Sequence, residues 1–269
     1  MYGAYITPTE QMSTATVYIV GAGPGDPELL TRKAYRLLRM ADAVVYDRLV
    51  SEDILALVPP GATRIFAGKS CNQHSMTQEE INATLVALTK RKRHIVRLKG
   101  GDPFIFGRGG EEADYLRRHK IAYEIIPGIT SASGCASYAG IPLTHRGLSS
   151  GVRYVTGHRQ HDGELNLNWE SLADPDTTLV FYMALHTLED IAAALIRAGL
   201  PASTPAALIG EGTTHRQRRI IATLGTLAPL AQEMQPPATL IIGKVVALAE
   251  RLDWFTPQAQ DTDLHREHG

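Results

Sequence analysis

The sequence predicts an α/β fold in two halves, and three observations carry that prediction. Short β-branched apolar runs alternate with helix-period segments along the chain. The alternation pauses at "IPLTHRGLSSG" and restarts, and two glycine-rich turns each follow directly on an apolar run. "TVYIVGAG" reads as the first strand, its apolar residues continuous, as in a parallel sheet covered on both faces. In "PELLTRKAYRLLRMA", Leu30, Ala34, Leu37, Leu38 and Ala41 share one helical face. Asp26 before Pro27 reads as that helix's start, a carboxylate for free N–H groups followed by a proline tolerated in the first turn. "AVVYD" and "RHIVRLKGG" continue as strands and "EEADYLRRH" as a helix. After the pause, "VRYVTGH", "TTLVFYMAL" and "ATLIIGKVVAL" read as strands and "TLEDIAAALIRAGL" as a helix. "STPAALIGEG" and "RRIIATL" are close enough to pair, so the second half is expected to hold a mixed, partly antiparallel sheet. The expected divisions are a tail 1–16, a domain 17–147, a second domain 148–255 and a tail 256–269.

The length of 269 residues suits two domains of up to about 150 residues each. Hydrophobic residues at 44% and charged residues at 20% mark an ordinary globular chain, and no apolar run reaches the roughly 18 residues of a membrane span. The first fourteen residues lack a basic start followed by an apolar stretch, so they are read as a loose tail and the protein is expected in the cytoplasm. A net charge of −1 argues against general nucleic-acid or membrane-surface binding, which selects a basic excess. Cys71 and Cys135 have no CxxC spacing, so neither a disulfide framework nor a zinc site is indicated. Arg and His gather in "LTHRG", "GVRYVTGHRQH" and "THRQRR", which suit either a small polyanionic ligand or a solvated surface.

The two glycine turns differ in what they can bind. In the first, Gly21 and Gly23 open like a dinucleotide fingerprint, but Asp26 stands at the third glycine, where a carboxylate repels pyrophosphate. That argues against a nicotinamide oxidoreductase, as does Asp42, which precedes "AVVYD" instead of ending it. In the second turn, "RLKGGDPFIFGRGGEE", Gly100 and Gly101 let backbone approach a ligand closely, and Asp102 can accept from ribose hydroxyls or an ammonium group. A zwitterionic nucleoside fits. Arg108 and Glu111, three apart at a helix start, form either a pair facing the ligand or a surface ion pair.

"VGAGPGDPELLT", "VVYDRLVS", "GKS…HSMTQEEIN", "RLKGGDPFIFGRGGEE", "IPGITSASG" and "GIPLTHRGLS" together resemble the S-adenosylmethionine-dependent tetrapyrrole methyltransferases, above all the branch acting on uroporphyrinogen III. The resemblance runs from Val17 to Val246. It implies two α/β domains with the cofactor cleft between them, a homodimer, and transfer of two methyl groups to rings A and B to give precorrin-2, a precursor of sirohaem, cobalamin and haem d1. It also assigns the S-adenosylmethionine site to Pro24, Gly100, Gly101, Asp102, Ile105, Thr130, Ser131, Met183, Gly212 and Ala238. Asp47 is implied as proton acceptor and Lys69 as proton donor, with Arg108, Glu111 and Arg146 catalytically important and no metal. Arginine is a poor base, so Arg108 is better suited to clamping a substrate carboxylate; Lys69, His158 and Arg159 are further candidates for that cationic lining.

Without the resemblance, Met183 would read as a core residue, Thr130 with Ser131 as a helix cap, Asp47 as a buried helix-start residue and Lys69 as a surface cation. The competing readings are a methyltransferase for a later intermediate such as precorrin-4, a relative that modifies RNA or a histidine-derived residue, and a silent tetrapyrrole carrier. Only sixteen residues precede Val17, so the chain is expected to stop at methylation.

Overall fold

Five apolar runs of the first half line up as one parallel sheet: β1 (Thr16–Gly21), β2 (Ala43–Tyr46), β3 (Thr63–Phe66), β4 (His94–Lys99) and β5 (Ala122–Ile126), in the order β3-β2-β4-β1-β5. The computed structural model describes residues 15–68, 76–159, 163 and 165–257, and the chain divides into two units. The first contains residues 15–22 and Leu30–Gly128; the second contains Gly23–Leu29 and residues 129–257.

Both faces of the first sheet are covered, which is why β1 and β2 read as unbroken apolar runs. Val20, Val44, Val96 and Leu98 face one core; Val17, Ile19, Val45 and Ile95 face the other. The coverings come from α1 (Arg32–Arg39) and α2 (Glu52–Leu55) on one side, and from α3 (Gln78–Leu88) and α4 (Gly109–Arg118) on the other. A reciprocal cap starts α3: Thr77 Oγ1 accepts from Glu80 N at 3.2 Å, and Glu80 Oε2 accepts from Thr77 N at 2.7 Å.

Helix α1 begins later than the Asp26-Pro27 signal predicts. Pro27–Leu29 forms a separate 3₁₀ turn, and α1 is capped by Thr31, whose side chain accepts from Ala34 N at 3.1 Å. Asp42 accepts from the backbone N–H groups of Arg93 (3.0 Å) and His94 (2.9 Å), bonds that hold its carboxyl below the usual range. It ties together the N-terminal ends of two parallel strands, opposite the end where such sheets bind ligands.

In the second unit β6 (Gly151–Thr156), β7 (Thr177–Tyr182), β8 (Pro205–Gly210), β9 (Arg218–Thr223) and β10 (Ala238–Ile242) form a sheet of order β6-β7-β10-β8-β9. β6 and β7 are parallel and the other pairs antiparallel, β8 with β9 included, so the sheet is mixed as expected. One face packs Leu179, Phe181, Leu208 and Leu240 against α7 (Leu188–Arg197), with α6 (Trp169–Leu172) and α8 (Leu227–Leu230) at its margin. The other face packs Val180, Ala207, Ile209 and Ile241 against α5 (Ser131–Tyr138) and the start of α9 (Ala249–Leu252). Helix α5 precedes residue 148, yet Ala132, Cys135 and Ala136 lie in this core. A pause in the strand pattern marks where the next strand begins; it does not say which sheet the preceding helix covers.

Cys135 is buried in that core, and burial pushes its thiol up to about 11 from 9.0. The native state therefore favours the protonated thiol: its stabilisation is complete below pH 9.0 and is lost as pH rises towards 11. The full displacement corresponds to roughly 3 kcal/mol. In urea unfolding, wild-type stability should fall relative to that of Cys135→Ala as pH rises from 9.0 towards 11.

Candidate active site

In the first unit the chain passes from β1 towards β2 and β3 but returns from β4 towards β5, so the adjacent strands β1 and β4 flank the point where the winding direction reverses. Ligands of open parallel sheets bind outside the carboxyl ends of the strands at such a point. Here those ends are built from glycine. A Cβ on Gly21 would lie 2.6 Å from both Gly101 O and Gly128 Cα, and Gly101 has φ of +66°. The termini of β1, β4 and β5 therefore touch backbone to backbone.

Asp102 locks this arrangement. Its Oδ1 accepts from Phe104 N at 2.8 Å and its Oδ2 from Gly128 N at 3.1 Å, while each oxygen keeps lone-pair capacity for a ligand donor. Beyond half-buried Ile105, the non-glycine residues Phe106 (φ 51°) and Arg108 (φ 57°) are left-handed, a conformation costing about 1–3 kcal/mol that clusters at functional sites. Phe104, Phe106 and Leu49 leave large apolar surfaces exposed beside it. Arg108 is the N-cap of α4; its Nε and Nη2 donate to the two oxygens of Glu111 at 2.8 and 2.6 Å. This fork raises the Arg108 pKa and holds the Glu111 carboxyl below its usual range. Both side chains are 55% exposed, so as an ion pair alone it is worth at most about 1 kcal/mol.

Asp47 follows β2 directly. Its Oδ1 accepts from Leu49 N at 3.0 Å, and its Oδ2 lies 3.6 Å from Arg97 Nη2. Lys69 lies outside the described residues.

In the second unit the first glycine turn is held by a closed circuit of hydrogen bonds. Asp26 N donates to Thr213 Oγ1 (3.1 Å), Thr213 N to Gln217 Oε1 (2.8 Å), Gln217 Nε2 to Tyr138 O (3.0 Å), and Tyr138 OH back to Asp26 Oδ2 (2.6 Å). Burial and the Asp26 carboxylate push the Tyr138 hydroxyl up to about 12. The carboxylate that makes the turn unfit for pyrophosphate thus anchors it instead. Pro24 packs on Gly134, where a Cβ would meet its ring, and Gly212 likewise packs on Cys135.

Met183 is not a core residue: it is 52% exposed and left-handed, with φ of 55°. The preceding Tyr182 hydroxyl bonds Thr130 Oγ1 and accepts from Ala132 N at 3.3 Å. Thr130 is the N-cap of α5 and Ser131 its first residue, but the Thr130 side chain makes no cap bond and turns to Tyr182. Ala238 opens β10 opposite Gly210, and Glu211 N donates to Pro237 O at 3.0 Å. Arg146 and His158 are exposed, the former on a turn closed by the His145–Ser149 bridge, whereas Arg159 is engaged by Asp190. Of the six non-glycine residues with positive φ among those described, Phe106, Arg108, Met183, Glu211 and Thr213 fall in the loops that hold the sequence-predicted residues.

The model of the Tetrapyrrole (Corrin/Porphyrin) Methylases matches residues 16–228. The chain belongs to this family. A siroheme synthase from Nitrosospira multiformis is 53% identical over 252 residues, covering 93% of this chain and 53% of that protein, so the chain spans about half the length of the curated relatives it matches. A uroporphyrin-III C-methyl transferase from Thermus thermophilus, solved with S-adenyl homocysteine, superposes with a TM-score of 0.76 at 43% identity, covering 87% of this chain and 100% of that one. A cobalt precorrin-4 methyltransferase superposes with a TM-score of 0.78 at 27% identity, covering 89% and 99%.

Within this tetrapyrrole methylase, the residues read from the sequence gather in two sets. Gly100, Gly101, Asp102, Ile105, Asp47, Arg108 and Glu111 stand at strand ends or the helix start of the first unit; Pro24, Thr130, Ser131, Met183, Gly212 and Ala238 stand at loops and element ends of the second. Sequence reading missed Tyr138, Gln217 and Tyr182, each of which has a partner between 50 and 112 residues away. It also missed Arg97, Lys99 and Glu112, although charges at alternate positions of the buried strand "HIVRLK" are a legible signal that a buried counter-ion exists.

Proposed function

We propose that this chain is an S-adenosylmethionine-dependent C-methyltransferase that methylates rings A and B of uroporphyrinogen III to give precorrin-2. The observation that carries the reading is the likeness to the whole length of the uroporphyrin-III C-methyl transferase at 43% identity, against 27% for the precorrin-4 enzyme. A cytoplasmic homodimer completes it; among the described residues no helix is long and apolar enough to cross a membrane.

The residues present fit the cosubstrate. Asp102 has acceptor capacity for ribose hydroxyls or the ammonium group, the bare backbone at Gly100 and Gly101 admits a close ligand, and Pro24, Ile105, Thr130, Ser131, Met183, Gly212 and Ala238 complete the proposed set. S-adenosylmethionine supplies the methyl group from a sulfonium centre. The chain's own work is to align the attacking carbon, to hold the eight carboxylates of the tetrapyrrole and to take up a meso proton. Arg108, presented by a left-handed cap and already paired with Glu111, is suited to hold a substrate carboxylate, with Arg146 and Lys69 as further cations; Asp47, partly exposed at a strand end, is suited to accept the proton.

Incubation of the purified chain with uroporphyrinogen III and S-adenosylmethionine should yield a red fluorescent oxidised product; no product from it would overturn the reading. In the same assay Arg108→Ala and Glu111→Ala should lower kcat by roughly 100-fold while changing S-adenosylhomocysteine affinity less than about three-fold by calorimetry. Equal losses in both measurements would remove these residues from the tetrapyrrole side.

A further inference from the structure

Strand β4 carries Arg97 and Lys99 two residues apart, so both side chains leave the same face of the first sheet, and both are buried. Glu112 of α4 meets them with 0% exposure. Its Oε1 accepts from Arg97 Nε at 2.9 Å, Lys99 Nζ at 3.0 Å and Gln78 Nε2 at 3.2 Å, while its Oε2 is buried without a hydrogen-bond partner among the described residues. Two buried cations facing one buried carboxylate leave a charge unmatched. Asp47 supplies the match: its Oδ2 lies 3.6 Å from Arg97 Nη2, and its side chain is 27% exposed, so the buried cluster reaches solvent there.

The guanidinium has little freedom. Besides Glu112, Arg97 donates from Nη1 to the carbonyls of Val45 at 3.4 Å and Leu98 at 3.1 Å, and a planar fork held on these sides offers Nη2 to Asp47 in one direction. Glu112 is also the neighbour of Glu111 in the first turn of α4, the helix that Arg108 caps. The carboxylate that braces Arg97 therefore fixes the helix start bearing the exposed Arg108–Glu111 pair as well.

We propose that Arg97 is a positioning residue: braced by Glu112, it holds the Asp47 carboxylate in register with the Arg108–Glu111 pair for uptake of the substrate's proton. The inference rests on the C-methyltransferase reading and on Asp47 as proton acceptor. Lysine at position 97 keeps the charge but loses the fork, so it separates positioning from simple charge neutralisation.

The test is steady-state methylation of uroporphyrinogen III by the wild-type chain, Arg97→Lys, Asp47→Asn and the double variant, with calorimetry of S-adenosylhomocysteine binding. Arg97→Lys should lower kcat roughly 10- to 100-fold, leaving both KM values and S-adenosylhomocysteine affinity within about two-fold. In the Asp47→Asn background the same substitution should change kcat by less than about two-fold, because the group it positions is gone. Equal losses in the two backgrounds, wild-type kcat in Arg97→Lys, or wild-type kcat in Asp47→Asn each overturn the inference while the methyltransferase reading stands. A wild-type chain that leaves uroporphyrinogen III unmethylated overturns both. Should Arg97→Lys not fold, Glu112→Gln takes its place: a kcat loss absent from the Asp47→Asn background supports the inference, and equal losses, an unchanged kcat or a second failure to fold overturns it.

Discussion

Replacing Gly21 by alanine should cost the first unit roughly 3 kcal/mol or more, a loss at the upper end for overpacking a buried site. A Cβ at this position would stand 2.6 Å from Gly101 O, Gly128 Cα and Gly128 N. All three are backbone atoms of strand ends pinned by their ladders and by the Asp102 carboxylate, so no side chain can rotate away. Gly21 does not have positive φ, which separates this effect from conformational preference. Gly110→Ala provides the contrast: among the described residues a Cβ there meets nothing within 4 Å, and the residue lies in the first turn of α4, so alanine should stabilise by roughly 0.5–1 kcal/mol. Urea unfolding of the two variants checks both signs. Gly21→Ala within about 1 kcal/mol of wild type would mean that the strand ends are not in backbone contact.

The second large effect is expected at Glu112. Glu112→Leu removes the fully buried carboxylate that holds Arg97 and Lys99, leaving buried cations without it, a change that costs roughly 3–5 kcal/mol. The loss comes from unpaired charge and not from missing volume. The triple change Arg97→Met, Lys99→Met and Glu112→Leu should therefore recover most of it, since apolar groups of similar volume replace buried ion pairs with little penalty.

The pH dependence supplies a further signature of the same cluster. Burial first, and the Arg97 charge second, hold the Lys99 amine below its ordinary 10.5, so between its native value and 10.5 the unfolded chain binds the extra proton and stability rises with pH. Losing Glu112 removes an attraction that favours the charged amine, which widens that window on its acid side. The deficit of Glu112→Leu should accordingly shrink as pH is raised from neutrality, the opposite direction to the alkaline loss from Cys135. A pH-independent deficit in urea unfolding would assign the loss to packing.

The α/β class, the parallel character of the first half's strands, the antiparallel pairing of "STPAALIGEG" with "RRIIATL" and the bare-backbone turn after "RLK" were legible in the sequence alone, whereas the strand order was not. These depend on short-range pattern: apolar runs between helical segments, a short connection between strands, and glycines where a strand ends. The Arg108–Glu111 pair was legible for the same reason, since three residues at a helix start fix the spacing. Folding alone reveals that Asp26 anchors its turn through Tyr138, Gln217 and Thr213, that Met183 is exposed and left-handed, and that α5 packs into the second sheet's core. It likewise brings two cations of one buried strand onto a single carboxylate, with Asp47 at their edge. Such partners are far apart in the chain, and which far residue closes a hydrogen-bond circuit or neutralises a buried charge is set by how sheets and helices stack, which local periodicity does not encode.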